Sequence, residues 1–364
     1  MLIPRPGFML SSVRSLRLRP GIADMDVDAV LAAFARPRRG AVRVPRDASR
    51  SPSVIVDTPA GPLFLKAYKP TVRDEAIVHE HSILVGLAAA GFPSSVHVVA
   101  TPGGQTVVRH EGRRFALFDY VDDGFHYYMY LFSPGRRRSF VARSGELLAR
   151  LHQAMARVAP LGSNWIGIDD ASGRRERDAG WYAERLDRSR RASLDTTDPV
   201  VRQLLGRTGE LGDLLAALEP RLEAAGLERQ TVHGDFGPHN VLFRSGAPPV
   251  VLDFEIARLD WRGLEVVNAL GRFCFDGRFG ARLPDMAAFL GAYQATFALP
   301  DLELALLPDL WRFSHGRRVI SNWDLLCREP DRWALWRIRR HLALLDWMSS
   351  GASRFRSIVP GSAG

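Results

Sequence analysis

The hydrophobic pattern of this 364-residue chain changes period once, near residue 120, and that change limits the folds open to it. Before it, short apolar runs alternate between Gly and Pro turns. Ser53-Val54-Ile55-Val56 is β-branched, Thr58-Pro59-Ala60-Gly61 reads as a turn, and Leu63-Phe64-Leu65-Lys66-Ala67-Tyr68 as the next strand. Residues 41–44 alternate, and residues 96–100, 106–109 and 115–120 predict further strands. One helix interrupts them at 74–90, stopped by Gly91 with Pro93 beyond. A short helix at 26–35, capped by Asp24 or Asp26, precedes the strands. After Asp122-Asp123-Gly124 the pattern is helical, at 140–158, 178–186, 200–218, 221–227 and 331–350, with one strand-rich island at 231–257. The expectation is an α+β chain of two lobes. Residues 1–40 form a basic N-terminal extension, and 41–122 an antiparallel sheet lobe with one helix. Residues 123–350 form a mainly helical lobe, and 351–364 a loose tail.

Composition removes several classes. Hydrophobic residues at 46% and charged residues at 24% suit a globular chain, not a disordered one. No run approaches the roughly 18 to 20 apolar residues that a membrane helix needs, so no membrane role is expected. Cys274 and Cys327 are the only cysteines, and neither sits in a CxxC pair. This argues against a disulfide scaffold or a cysteine zinc site and fits a reducing, cytoplasmic setting. The basic segment before Asp24, with Arg5, Arg14, Arg17 and Arg19, reads as an organelle presequence or as an Arg-biased terminus, the second being favoured. The net charge of +9 could attract nucleic acid. However, 47 of the 49 cations are Arg, a coding bias, so nucleic acid is not the expected partner. In residues 331–350, Leu335, Ile338, Leu342 and Leu345 recur at helical spacing. Trp333, Trp336 and Trp347 are therefore read as core packing ahead of a nucleic-acid face.

The strongest local signal is Val232-His233-Gly234-Asp235-Phe236-Gly237-Pro238-His239-Asn240-Val241-Leu242. An Asp with an Asn five residues later, between short strands, puts a carboxylate and an amide oxygen on one tight loop. Phosphoryl transfer uses such a pair: the carboxylate aims a hydroxyl and takes its proton, and the Asn oxygen ligates a metal. Ten residues on, Val250-Val251-Leu252 ends in Asp253-Phe254-Glu255. Asp253 and Glu255 face one side if the strand stays extended, and hard oxygens at a strand end suit Mg²⁺.

The two segments together resemble the catalytic region of the aminoglycoside phosphotransferase, choline kinase and type II homoserine kinase superfamily, whose fold is protein-kinase-like. The resemblance covers about residues 41–347. It implies ATP and Mg²⁺ as cofactors, Asp235 as the catalytic base, and Asn240, Asp253 and Glu255 at the metal. It also implies that Lys66, one of only two lysines in the chain, binds the α- and β-phosphates, where Arg is no neutral replacement. Glu80 lies in the apolar stripe of Ile77, Leu84 and Leu87 and is the expected partner of Lys66, with Glu75 as the fallback. The backbone near Asp119, Tyr120 and Val121 is expected at the adenine edge. His152, in Leu148-Ala149-Arg150-Leu151-His152, is read as a support of the catalytic loop, and Glu265, where the family usually carries Asp, as a structural residue.

Three departures stand out. Gly237 replaces a frequent family His, the segment 46–53 is not glycine-rich, and no activation loop separates Asp253 from Asp260. The favoured activity is transfer of the ATP γ-phosphate to a hydroxyl of a small molecule. The rivals are a kinase of Ser or Thr in a peptide and a catalytically inactive binding protein. The segment 124–138, with Phe125, Tyr127, Tyr128, Tyr130, Phe132 and Arg136 to Arg138, could touch an acceptor or simply pack.

Overall fold

The computed structural model describes residues 26–45, 52–122, 124–126, 134–162, 177–191, 197–328 and 332–359. The aromatic residues Tyr127, Tyr128, Tyr130 and Phe132 and most of the segment 46–53 lie outside them.

Packing separates two units. The first comprises Met1–Val72 and His97–Asp122, the second Arg73–Val96 and Asp123–Gly364. The first is a five-stranded sheet made of β1 (Ser53–Thr58), β2 (Gly61–Tyr68), β3 (Val98–Val99), β4 (Val108–His110) and β5 (Arg113–Asp119). Every pairing is antiparallel, in the order β1-β2-β5-β3, with β4 also on β5. Alternation decides its faces. Val54, Val56, Leu63, Leu65, Ala67, Phe115 and Leu117 form one core with Val30 and Leu31 of α1 (Val27–Ala33) and with Phe34, which caps its C-terminus. Lys66 falls between Leu65 and Ala67, opposite Ser53 and Ala116, and so lies on the other face. Asp26 caps α1 by accepting from the Ala29 N–H at 3.0 Å.

Three boundaries differ from the sequence expectation. The segment 26–34, expected as a short helix within a basic extension, packs into the sheet's core. Residues 41–44 make only one bridge, Arg43 to Ile55, because Pro45 has no N–H to extend a ladder. The helix at 74–89 and the chain to Val96 group with the second unit.

The second unit holds α2 (Asp74–Ala89), α3 (Pro134–Met155), α4 (Ala179–Arg190), α5 (Pro199–Gly206), α6 (Thr208–Ala224), α7 (Arg262–Phe273), α8 (Leu283–Thr296), α9 (Asp301–Arg328) and α10 (Arg332–Arg356). Two small sheets lie among them. One pairs β7 (Arg229–Val232) with β10 (Arg258–Trp261); the other runs β6 (Phe125–His126), β8 (Val241–Phe243), β9 (Val250–Val251). Gly145 lets α3 approach the Phe289 carbonyl of α8 more closely than any Cβ would allow.

The helix breaks differ too. The 200–227 stretch divides at Arg207, and Pro220 lies inside α6. The chain end is helical to Arg356, not a tail from 351. Phe355 is buried against Trp311 and Trp347, and that aromatic contact holds the last turns. Trp333 and Trp336, expected in the core, are 59% and 40% exposed, whereas Ile338, Leu342 and Leu345 are buried.

Candidate active site

The loop between β7 and β8 carries the Asp and Asn of the sequence motif, and two helices support it. Glu265, in the first turn of α7, is 3% exposed. Its Oε2 accepts from the His233 N–H at 2.8 Å and meets His152 Nε2 of α3 at 3.0 Å. Its Oε1 accepts from the Gly234 N–H at 2.5 Å. His152 Nδ1 in turn meets the Tyr293 hydroxyl at 2.7 Å. Burial would raise the Glu265 carboxyl, but His152, then His233 and Arg258, hold it below its ordinary value. Gly234 has φ +81°, and a Cβ there would lie 2.6 Å from the Ile256 carbonyl oxygen, so only glycine fits the turn.

The loop fixes its own orientation. Burial lowers the His233 imidazole, against the attraction of Glu265. Neutral His233 donates from Nε2 to the Leu252 carbonyl at 2.8 Å and accepts the Asp235 N–H at Nδ1, 3.2 Å. Asn240 Nδ2 donates to both the Asp235 carbonyl and its Oδ2 at 3.1 Å. His239 Nε2 lies 3.0 Å from the same Oδ2.

An unforeseen residue grips the other side. Arg272 of α7 donates to the Asp235 carbonyl at 2.7 Å and pairs with Oδ1. Burial alone would raise the Asp235 carboxyl. Arg272 first, then His239 and Arg318, hold it far below the usual carboxylate range instead. Arg272 carried no sequence signal in a chain so rich in Arg.

The remaining candidates divide between the units. Val241 pairs with Val251, and the Leu252 N–H donates to the Asn240 carbonyl at 2.9 Å, so Leu252 lies opposite Asn240 and Asp253 comes next in the chain. The assumption that Asp253 and Glu255 lie on one extended strand does not hold. The strand ends at Val251, Asp253 has φ +62°, and Glu255 enters a turn. Both side chains are exposed, while Phe254 between them is buried edge-on to His233 at 4.7 Å. Glu80 is buried in α2 beside Ile77, Leu84 and Leu87. In the first unit, Lys66 is buried, with its Nζ 4.7 Å from the Tyr68 ring centroid. Also there, the Asp119 N–H donates to the His97 carbonyl at 3.0 Å, and its carboxylate meets His97 Nδ1 at 2.7 Å. Arg43 sits over the Tyr120 ring at 5.8 Å. Val121, half-buried, follows it.

Among the described residues no three His, Cys, Asp or Glu side chains converge to hold a metal by themselves. The donor set here is different. With Nδ2 committed to Asp235, the Asn240 Oδ1 has no hydrogen bond among the described residues, and Asp253 follows Leu252, whose N–H is bonded to the Asn240 carbonyl. Hard amide and carboxylate oxygens of this kind suit Mg²⁺ or Ca²⁺.

Buried histidines set a pH limit on this unit. His79, His233, His315 and His341 are all held below their ordinary value of 6.5, burial being the first cause for each. The unfolded chain therefore takes protons near pH 6.5 that the folded chain refuses. Stability is complete above that value and falls below it, by up to about 1.4 kcal/mol per pH unit for each histidine. The urea midpoint is expected to drop between pH 7.5 and 5.5; a level or rising midpoint would contradict this.

Together the fold and the loop define a phosphotransferase with an alcohol group as acceptor, a kinase. The chain belongs to the phosphotransferase enzyme family, whose model matches residues 41–296. It is 27% identical over 268 residues to a homoserine kinase of Afipia carboxidovorans, covering 74% of each chain. To a homoserine kinase of Rhodospirillum rubrum it is 27% identical over 321 residues, 85% of this chain and 88% of the other. Solved structures share the bilobal α+β fold. A microcompartment-associated aminopropanol kinase matches with TM-score 0.60 and 16% identity over 90% of this chain and 97% of that one. A spectinomycin phosphotransferase in complex with ADP and spectinomycin matches with TM-score 0.58 and 10% identity over 88% and 92%. An amicoumacin kinase in complex with AMP-PNP and Ca²⁺ matches with TM-score 0.57 and 16% identity over 89% and 94%. No helix among the described residues is long and apolar enough to cross a membrane.

Proposed function

We propose that the chain transfers the γ-phosphoryl group of ATP to the hydroxyl of a small, amino-acid-like molecule in the cytoplasm. The observation that carries this reading is the Asp235–Asn240 contact at 3.1 Å on a loop locked from below by Glu265. Asp235 accepts a hydrogen bond from the acceptor hydroxyl and aims its oxygen at phosphorus. The new O–P bond forms as the bond between the γ-phosphorus and the β,γ-bridging oxygen breaks, ADP leaves, and the hydroxyl proton passes through Asp235 to solvent. Held so acidic, Asp235 is a weak base, so it acts chiefly by orientation, as a loose phosphoryl transition state allows.

Asn240 and Asp253 would hold Mg²⁺, with Glu255 assisting, and a bound divalent ion would neutralise charge on the phosphates. Lys66 would brace the α- and β-phosphates. Because the Asp119 N–H is already used by His97, the backbone of Tyr120 and Val121 is left for the adenine edge.

Homoserine, the substrate in the names of the curated relatives, is the first acceptor to try. The peptide alternative gains nothing from the described part of the segment 124–138. Phe125 packs on Phe140 and Phe243, and Arg137 is tied to buried Asp285 at 2.8 Å. ADP release with Mg²⁺-ATP, measured across homoserine, choline, an aminoglycoside and a Ser-containing peptide, tests the reading. Release stimulated by a small hydroxylated molecule supports it, and stimulation by the peptide alone would overturn it.

A further inference from the structure

A second group of charges gathers on α7 beside Asp235. Asn268, Gly271 and Arg272 stand at i, i+3 and i+4, on one helical face. Each anchors or supplies a guanidinium. Arg272 reaches Asp235. Arg318 of α9 donates from Nε to Asn268 Oδ1 at 3.1 Å. Arg340 of α10 donates from Nη2 to the Gly271 carbonyl at 2.6 Å. The Asn268 Oδ1 is further fixed by the Ser314 hydroxyl at 2.6 Å, and Arg340 lies over the Trp336 ring, 5.6 Å from its centroid.

Thus three guanidinium groups from three helices gather along one face of α7, and of the three only Arg272 is bonded to Asp235. Other arginines of this unit do pair with carboxylates: Arg258 with Asp260, Arg137 with Asp285, Arg262 with Glu228. Among the described residues Arg318 and Arg340 pair with no carboxylate, and both Nη groups of Arg318 make no hydrogen bond. Buried His315 meets His341 at 3.2 Å, Nδ1 to Nδ1, and its Nε2 has no partner among the described residues. Burial, with repulsion from Arg272, pushes Arg318 down to about 9 and Arg340 to about 10. Unspent positive charge of this kind is stabilised by a bound anion, and the planar fork of Arg matches a carboxylate.

We propose that Arg318 and Arg340 form a subsite for the carboxylate of the acceptor, so that the enzyme selects a small hydroxy acid and rejects choline-like and aminoglycoside cations. Assigning the anion to the acceptor rests on the phosphotransfer reading of Asp235; the anion site itself rests on α7, α9 and α10. The carboxylate docks on the two arginines, and the hydroxyl carried by the same molecule reaches the adjoining Asp235.

The test compares L-homoserine, L-serine, L-threonine and glycerate with the carboxamides of the same compounds, in two assays. In ADP release, wild type should prefer at least one carboxylate over its amide by roughly 10- to 100-fold in kcat/KM. Arg318→Gln should erase that preference mainly through KM, with Arg318→Lys restoring part of it and Arg340→Gln acting in the same direction. In calorimetric titration without ATP, saturable binding of a carboxylate that is lost in Arg318→Gln sustains the subsite even where no acceptor yields ADP, an outcome that would reject only the kinase reading. Removal of an uncompensated cation should leave the urea midpoint of Arg318→Gln at or above wild type, which separates lost binding from lost folding. Equal use or binding of acids and amides by wild type, preference kept in both Gln variants, or no binding of any carboxylate would overturn the proposal.

Discussion

Asp235→Asn should lower phosphoryl transfer by roughly 10²- to 10⁴-fold while leaving nucleotide binding measurable. The substitution is nearly isosteric, but every group around it is a donor. Arg272 addresses Oδ1, and Asn240 Nδ2 and His239 Nε2 address Oδ2. An amide must turn its own NH₂ toward one of these donors, so the acceptor hydroxyl loses both the charge and the aimed oxygen. Arg272 would also lose its ionic partner, so the variant's urea midpoint must be measured beside its kinetics. Turnover within a factor of about three of wild type would remove Asp235 from the reaction.

The second large effect is structural. Glu265→Ala should destabilise the second unit by about 3–5 kcal/mol, the usual result of removing one member of a buried charged network. The variant would strand the His233 and Gly234 N–H groups and His152 Nε2, all buried. Glu265→Gln keeps the volume, but its NH₂ must face either a backbone N–H or His152, so it is expected between wild type and Ala. Because the Glu265 carboxyl is held below its ordinary value, its contribution is complete above the unfolded carboxylate range and is lost as pH falls through its folded value. Urea unfolding at pH 7.5 reads the difference. A midpoint for Glu265→Ala equal to wild type would show that the loop does not depend on this residue.

The parts of this site that lie close together in sequence are legible from the residues alone. His233 to Asn240 is one short loop, so residue types and spacing carry the Asp–Asn pairing. The burial of Glu80 follows from its helical spacing and the supporting place of His152 from the family resemblance, whereas Glu265 is marked only as structural and its grip on the loop emerges from the fold. Local periodicity misleads where the backbone turns: Asp253 adopts a left-handed φ, which ends the alternation assumed for Glu255. It also misleads at Trp333 and Trp336, whose helical spacing does not place them on the buried side of α10. The arginines about α7 leave no local trace. They come from positions 272, 318 and 340, and with 47 arginines in the chain no single one stands out. One weak signal exists in Asn268, Gly271 and Arg272, polar or small residues at i, i+3 and i+4 of α7.

The central claim is that a phosphoryl group moves from ATP to a hydroxyl acceptor on this protein. Phosphorus NMR of the protein with Mg²⁺-ATP and L-homoserine observes that event without a coupled assay. The account predicts a phosphomonoester resonance that grows as the γ-phosphate resonance declines, and that is missing with Asp235→Asn. Loss of the γ-phosphate only to inorganic phosphate, across the full set of hydroxy acids, would contradict it.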